Sequence, residues 1–539
     1  MGVRLTVLVG LVSLLYGALV FKLYDVQVQN GEAYKAQAFS QHVLAGLLDP
    51  VRGNIYFTDR SGNSIPAAIS KEYPTIYVNP KEVGDDKPRV VEILNALGVI
   101  EEDEIEFILA KKNDLYESIV KRATDEQVSM VTESNIKAVD VDYKRSRLYP
   151  LATIASHILG FVSADEDVGG AYGIESEYQD RLRGQTGVSS GDKVVSRAET
   201  GKDLDLTIDL NIQREAEKIL GNLVEKYKAE QGLVIVQNPK TGAILTMAAT
   251  PNFDPNTYNE FSISTFLNPN VESVYEPGSI FKMITMASAL DAGKITPETT
   301  YNDTGSLVLN GKTIRNWDLK AHGVMTMTQV IEKSLNTGAA FAERALGPED
   351  FYDYLVKFGL KDKTGIDLPG EVVGSLRPLE VDKRDVNFAT ASFGQGISVT
   401  PIGLLRAMSA IANHGVMMKP YLNAEKDPEE VGRIISEDAS RKTVGMMVNA
   451  VNIAQIAKIQ NYNVAGKTGT AQIPARGGYT DDVINTYVGF APAYNPKFII
   501  LIRMDKPAGA PLAGLTVVPA FRDLAQFILN YYNVPPDNL

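Results

Sequence analysis

The sequence predicts an α/β fold of the α+β kind: a C-terminal antiparallel sheet with a helical subdomain, an irregular α+β pedestal before it, and one N-terminal transmembrane helix. Three observations carry the prediction. Two apolar hairpins lie far apart in the chain, near 232–248 and 487–504, and chain-distant hairpins of this kind join one sheet with helices packed around it. The stretch from 279 to 415 reads as mostly helical. Residues 5–21 carry no charge over 17 positions, at the short end of what spans a bilayer as a helix.

Taken in order, the apolar run comes first. A cleaved signal peptide competes with an anchor for it, but the small-x-small tripeptide Ala36-Gln37-Ala38 lies far past the run, so an uncleaved anchor over residues 1–24 is favoured. Arg4 precedes the run and Lys22 follows it, a weak positive-inside signal. The short N-terminal side has almost nothing to fold. The expectation is therefore a single pass through the cytoplasmic membrane, with the large remainder outside the cytoplasm.

Residues 25–205 mix strand-like and helical stretches with turn clusters such as Asp59-Arg60-Ser61-Gly62-Asn63, and read as a separate module. Within it, 89–112 shows apolar residues at helical spacing interrupted near Gly98, which predicts a helical pair. A strand over 203–208 and an amphipathic helix over 212–227 place a boundary near 205. In the domain 206–539, Asn238-Pro239-Lys240-Thr241-Gly242 joins the runs 232–237 and 243–248, a strong hairpin signal. A second hairpin turns at Ala493-Tyr494-Asn495-Pro496, and 518–531 offers a terminal helix with Pro519 near its start.

Composition excludes several function classes. Lys plus Arg total 53 against 66 Asp plus Glu, a net charge of −13 that repels phosphate backbones and argues against nucleic acid as a partner. There is no cysteine, so thiol nucleophiles, disulfides and thiolate-held metals are excluded. His42, His157, His322 and His414 are scattered without metal-ligand spacing. No cofactor is expected. A Ser-His-Asp triad is not excluded by spacing, but packing or surface polarity is the favoured reading of each histidine.

Chemistry concentrates in three short motifs. Glu276-Pro277-Gly278-Ser279-Ile280-Phe281-Lys282 precedes a helical run, so Ser279 is expected in the first turn with Lys282 on the same face. A desolvated amine there takes the seryl proton, and the free N–H groups of a helix start can serve an oxyanion. Alone, the pattern more often marks an N-capping serine and a surface lysine. In Lys333-Ser334-Leu335-Asn336 a hydroxyl and an amide two residues apart can enter one cleft from a loop or bent helix, although such pairs are common at helix ends. Gly466-Lys467-Thr468-Gly469-Thr470 suits a strand with one side open, Gly469 clearing space, Lys467 giving positive potential and Thr468 and Thr470 offering hydroxyls to a carboxylate. The phosphate-loop pattern fails because Asn461 stands where its first glycine belongs.

Order and separation decide the matter: 55 residues separate Ser279 from Ser334, and 133 separate Ser334 from Lys467. This set resembles the S-x-x-K, S-x-N and K-T-G motifs of penicillin-binding proteins and β-lactamases. The S-x-N form is closer to the transpeptidases than to class A β-lactamases. Arg52-Gly53-Asn54-Ile55 with Asp59-Arg60-Ser61-Gly62, Arg147-Leu148-Tyr149-Pro150, Gly173-Ile174-Glu175, Leu182-Arg183-Gly184 and Phe393-Gly394-Gln395-Gly396 resemble class B, monofunctional enzymes. The resemblance runs from the anchor to residue 530. It departs in one extra residue near Thr58, in the weak positive flank, and at Leu335 and Thr337.

The resemblance implies a penicillin-binding transpeptidase domain over 206–539 on a pedestal, dimerisation-type module over 25–205, acting as a peptidoglycan D,D-transpeptidase. Ser279 would attack the penultimate D-alanine carbonyl of a stem peptide, Lys282 would be the base, Ser334 the relay, and Asn336 the orienting amide. Lys467, Thr468, Gly469 and Thr470 would bind the substrate carboxylate or that of a β-lactam, with the N–H groups of Ser279 and Thr470 as oxyanion hole. A polytopic glycan polymerase beside the inner membrane is the implied partner, and the S-x-N form with Asn316-Trp317-Asp318 resembles division-type more than elongation-type enzymes. Trp317, the one tryptophan, is read as a core anchor ahead of a cleft rim, and 479–482 as a flap or a solvated loop. A tethered β-lactamase and a non-catalytic β-lactam sensor are the competing readings. No E-x-x-x-N element supports the first, and the intact motif residues argue against the second.

Overall fold

A computed structural model describes residues 15–17, 22, 49–111, 114–163, 169–190, 193–475, 478–510 and 512–538. The first sheet starts with β1 (Ile55–Thr58), which turns back antiparallel into the long β2 (Ser64–Val78). Asp59 makes that turn, its Oδ1 accepting from the N–H groups of Ser61 and Asn63, as a short acidic side chain in a turn cluster does. β2 pairs further with β3 (Glu117–Val120) and with β4 (Val139–Leu148). Helices α1 (Lys87–Leu97), α2 (Glu102–Leu109) and α3 (Asp125–Ser134) bury Leu94, Ile105 and Val131 with Ile76, Val78 and Val139. Gly98 closes α1 at φ 66°, the left-handed cap that interrupts the helical periodicity in the sequence.

β5 (Leu204–Asp209) lies parallel to β1, so the boundary expected near 205 falls inside a strand of this sheet. Asp209 ends the strand and caps α4 (Leu210–Tyr227), its carboxylate accepting from Asn211 and Ile212 N–H groups. The second sheet joins the two predicted hairpins: β6 (Gln231–Gln237), β7 (Ile244–Thr250), β8 (Ala465–Ala475), β9 (Gly478–Ala491) and β10 (Phe498–Asp505) run antiparallel in the order β7-β6-β10-β9-β8. β8 is an edge, paired with β9 on one side alone among the described residues. The helical middle contributes α5 (Lys282–Asp291), α6 (Met327–Lys333), α7 (Asn336–Leu346), the wholly buried α8 (Pro401–Ala412), and α9 (Glu437–Ala454). α10 (Val517–Tyr531) joins α4, and Ile212, Leu220, Phe521, Leu524 and Ile528 pack with Val234, Ile500 and Ile502. Each such fully buried side chain contributes roughly 1.5–3 kcal/mol.

The described residues up to 53 form, with those of Asp180–Asp203, a unit of their own. Inside it the N–H of Gly53 donates to the Leu182 carbonyl and that of Gly201 to the Val51 carbonyl, both at 2.8 Å. A Cβ on Gly201 would overlap the Leu182 backbone, so the chains cross where only glycine fits.

The N-terminal expectation needs correction. Of residues 5–21, only 15–17 are described, as helix; the rest of the run, and Ala36-Gln37-Ala38, lie outside the described residues. Among the described residues no helix is long and apolar enough to cross a membrane. This overturns the single transmembrane helix and, with it, the single-pass membrane localisation and extracytoplasmic placement that rested on it.

Candidate active site

Ser279 sits half-buried in a 3₁₀ turn, Gly278–Phe281, that feeds directly into α5. The sequence predicts the first turn of a helix. The tighter 3₁₀ form has three residues per turn and so eclipses i with i+3, which stacks Lys282 over Ser279 with Nζ 3.0 Å from Oγ. Gly278 opens the turn at φ +59°, and its N–H donates to the Gly394 carbonyl at 3.2 Å. A side chain at Gly394 would overlap the Gly278 backbone, which explains the glycine in Phe393-Gly394-Gln395-Gly396.

Ser334 and Asn336 reach the same amine because the chain breaks between two helices. A capping box of Thr326 and Gln329 starts α6, and Ser334 ends it in the left-handed conformation, φ 56°. Leu335 is extended and α7 begins at Asn336. Lys282 Nζ donates to the Ser334 carbonyl (2.7 Å) and to Asn336 Oδ1 (2.9 Å), with Ser334 Oγ at 3.1 Å. The Asn336 amide is oriented by its other end, Nδ2 donating to the Arg315 carbonyl at 2.9 Å. Behind it Thr337 donates its hydroxyl to buried Asp303 (2.8 Å) and its N–H to Asn316 Oδ1 (3.2 Å).

The third motif lies on the open edge strand. Lys467 Nζ donates to Ser334 Oγ (3.0 Å) and to the Thr468 carbonyl (3.1 Å), with Thr468 Oγ1 at 3.4 Å. Thr470 donates its hydroxyl proton to Asn485 Oδ1 and accepts from the Ala513 N–H, both at 3.3 Å. Gly469 clears space beside the strand backbone, and the nucleophile turn is what fills it. A Cβ there would stand 2.9 Å from the Pro277 carbonyl and 3.1 Å from Ile280, so glycine lets β8 lie against the nucleophile turn. All eight residues singled out in the sequence thus lie on this turn, on the helix break, or on the adjoining stretch of β8.

Electrostatics follow from burial. Lys282 is fully buried, and desolvation, helped by the charge of Lys467, holds its pKa well below that of an ordinary lysine. Burial pulls Lys467 down to about 7. Neither amine has an ion-pair partner among the described residues. A neutral Lys282 has two N–H groups, and two contacts, the Ser334 carbonyl and Asn336 Oδ1, can only accept. Its lone pair is left for a hydroxyl, and Ser279 Oγ is the closer of the two.

Sequence reasoning missed several groups. Asn485 is fully buried in β9 and ties Thr470 to the Ala510 carbonyl and Thr516; a lone amide in an apolar strand beside the edge was its signal. Glu276 accepts from the Gly396 N–H (3.1 Å) and the Tyr479 hydroxyl (3.1 Å), and burial raises its pKa. Tyr479 belongs to β9 rather than to a loop. Trp317 is 62% exposed with its indole N–H on the Lys333 carbonyl, which corrects the core reading and puts it at the rim.

A serine, a neutral amine in reach of it and a second amine at an open strand edge form a serine acyl-transfer arrangement. Comparison with known proteins agrees. The penicillin binding protein transpeptidase domain matches residues 232–526 and the penicillin-binding protein dimerisation domain matches 47–204. Stage V sporulation protein D of Bacillus subtilis is 33% identical over 94% of this chain and 82% of its own. Peptidoglycan D,D-transpeptidase FtsI of Escherichia coli is 27% identical over 99% and 93%. The crystal structure of penicillin binding protein 3 from Mycobacterium tuberculosis, complexed with aztreonam, superposes with a TM-score of 0.71 at 26% identity, covering 91% of this chain and 98% of that one. The chain belongs to the penicillin-binding protein transpeptidases.

Proposed function

We propose that the chain crosslinks peptidoglycan as a D,D-transpeptidase working through a seryl acyl-enzyme. Ser279 Oγ attacks the penultimate D-alanine carbonyl while its proton passes to neutral Lys282. The backbone N–H groups of Ser279 and Thr470 hold the oxyanion. The carbonyl–nitrogen bond breaks, and terminal D-alanine leaves with a proton handed on through Ser334, whose hydroxyl lies between both amines. The amine of a neighbouring stem peptide then attacks the seryl ester, forming the crosslink and returning Ser279. Asn336 orients the donor peptide. Lys467 and the Thr468 hydroxyl bind the substrate carboxylate, with Thr470 and Gly469 setting the strand. β-Lactams acylate the same serine.

The observation that carries this reading is the fully buried Lys282 Nζ 3.0 Å from Ser279 Oγ, with two acceptor-only groups, the Ser334 carbonyl and Asn336 Oδ1, at its other contacts. We assign the pedestal to 25–205 and the transpeptidase domain to 206–539, with a glycan polymerase as partner. The S-x-N form and Asn316-Trp317-Asp318 support a division-type role, for which depletion should give filaments rather than round cells. The test of the chemistry is labelling by a fluorescent penicillin, lost in Ser279→Ala, together with transfer from a D-alanine thioester to an added amine. Rapid hydrolysis with no transfer would sink the transpeptidase reading.

A further inference from the structure

A groove of about 800 Å³ opens at the end of β8 away from Lys467, between the segment 274–276 that leads into the nucleophile turn and the segment around helix Arg377–Val381. On β8 Thr470 and Gln472 are exposed at alternate positions, and past the register shift between Gln472 and Pro474 three consecutive residues, Gln472, Ile473 and Pro474, line the groove. They form a strip from the acyl-transfer site into the groove. Thr470 to Pro474 spans about 13 Å at strand rise. Pro474 has no N–H, so a peptide adding to this edge loses main-chain pairing there, and beyond it the groove walls must hold the ligand. A donor whose C-terminal carboxylate lies at Lys467 therefore runs its upstream residues, two to four before the cleaved bond, into this groove.

The groove's charges are unequal in their commitments. Asp382 pairs with Arg384 at 2.7 Å, and Glu276 is taken by Gly396 and Tyr479. Arg377 lines the groove, exposed, and its guanidinium makes no hydrogen bond or ion pair among the described residues. Around it the walls are apolar: Val274, Val381, Ile397 and Ile473. Such a surface suits an extended peptide with an apolar stem and one carboxylate, because a guanidinium forms a two-pronged pair with that group and none with a carboxamide. We propose that Arg377 selects acyl donors bearing a free side-chain carboxylate two to four residues upstream of the cleaved bond. This rests on the transpeptidase reading of the site.

The test uses the full chain and two synthetic peptides ending in D-Ala-D-Ala, identical except for glutamate or glutamine at the third residue before the cleaved bond, with D-alanine release as readout. The native chain should prefer the carboxylate donor by about fivefold in kcat/KM, the scale of one partly exposed ion pair. Arg377→Ala should bring the ratio to one and Arg377→Lys should keep part of it. Lys383→Ala, a neighbouring exposed cation outside the groove, should keep the ratio and so controls for long-range attraction. A ratio of one in the native chain, a ratio that survives Arg377→Ala, or equal slowing of both donors overturns the proposal. A native chain that releases no D-alanine and takes no fluorescent penicillin overturns the transpeptidase reading instead.

Discussion

Lys282 and Lys467 aim their amines at one hydroxyl, Ser334 Oγ, from 3.1 and 3.0 Å. Two ammonium groups that share one small acceptor in a buried site repel each other, and no carboxylate among the described residues pairs with either. Lys282, the more buried in its contacts and the more strongly depressed, gives up its proton first. One amine is thereby a base and the other a cation, an assignment made by environment rather than residue type.

The first prediction concerns that base. Lys282→Met keeps the length of the side chain but removes the proton acceptor, and should slow acylation by fluorescent penicillin by about 10²–10⁴-fold, the range for a positioned general base. Ser334→Ala should leave the Lys282 contacts to its carbonyl and to Asn336 intact while cutting the relay. Its turnover should fall more than its acylation by a β-lactam, measured by stopped flow.

The second is a pH profile. Lys467 is charged below its pKa, about 7 in the free protein, and neutral above it. kcat/KM for a donor with a free terminal carboxylate should therefore decline as pH rises through about 7, and a donor methyl ester should lack that limb. A bound carboxylate favours the ammonium form, so the limb should move to higher pH in kcat. On the acid side both donors should lose activity together, as Lys282 takes up a proton. Equal alkaline limbs for acid and ester would refute the assignment of Lys467.

The third tests what holds Asn336. Thr337→Val removes the hydroxyl that donates to buried Asp303 at nearly constant volume. Losing one donor to a buried carboxylate should cost about 1–3 kcal/mol in urea unfolding. Acylation should slow as well, because the lost hydroxyl also contacts Asn316 Oδ1 (3.1 Å), the acceptor that holds the Thr337 N–H at the start of α7. Unchanged stability would show the network to be slack.

The three motifs were legible because their chemistry demands particular residue types at set separations, and both hairpins of the second sheet because turn residues and apolar runs are local signals. What was hidden is non-local. Nothing around Ser334 announces its left-handed backbone, since serine rarely adopts it and the two flanking helices impose it. Asn485 and Glu276 act through partners 15 and more residues away, which periodicity cannot detect. Trp317 was misread because bulk suggests a core, whereas its one indole N–H ends α6 at the surface. The charge-free run 5–21 is a local hydropathy signal that lies mostly outside the described residues, and among those no helix meets the length and apolarity of a membrane span.

Gly469 supplies the last prediction. The Pro277 carbonyl stands 2.9 Å from where its Cβ would be, and Ile280 carbons stand at 3.1 and 3.2 Å. Ile280 can shift its side chain, but the carbonyl is backbone and moves only with the turn that carries Ser279. Gly469→Ala should therefore cost about 1–3 kcal/mol, as overpacking does. Acylation should fall further than stability accounts for, by up to about 10²-fold, the cost of a misplacement of about 1 Å in attack geometry. Gly221→Ala, inside α4 with open space around it, should instead stabilise by about 0.5–1 kcal/mol and leave acylation as it was. If Gly469→Ala unfolds at lower urea yet acylates at the native rate, the close approach of β8 to the nucleophile turn supports the fold and not the chemistry.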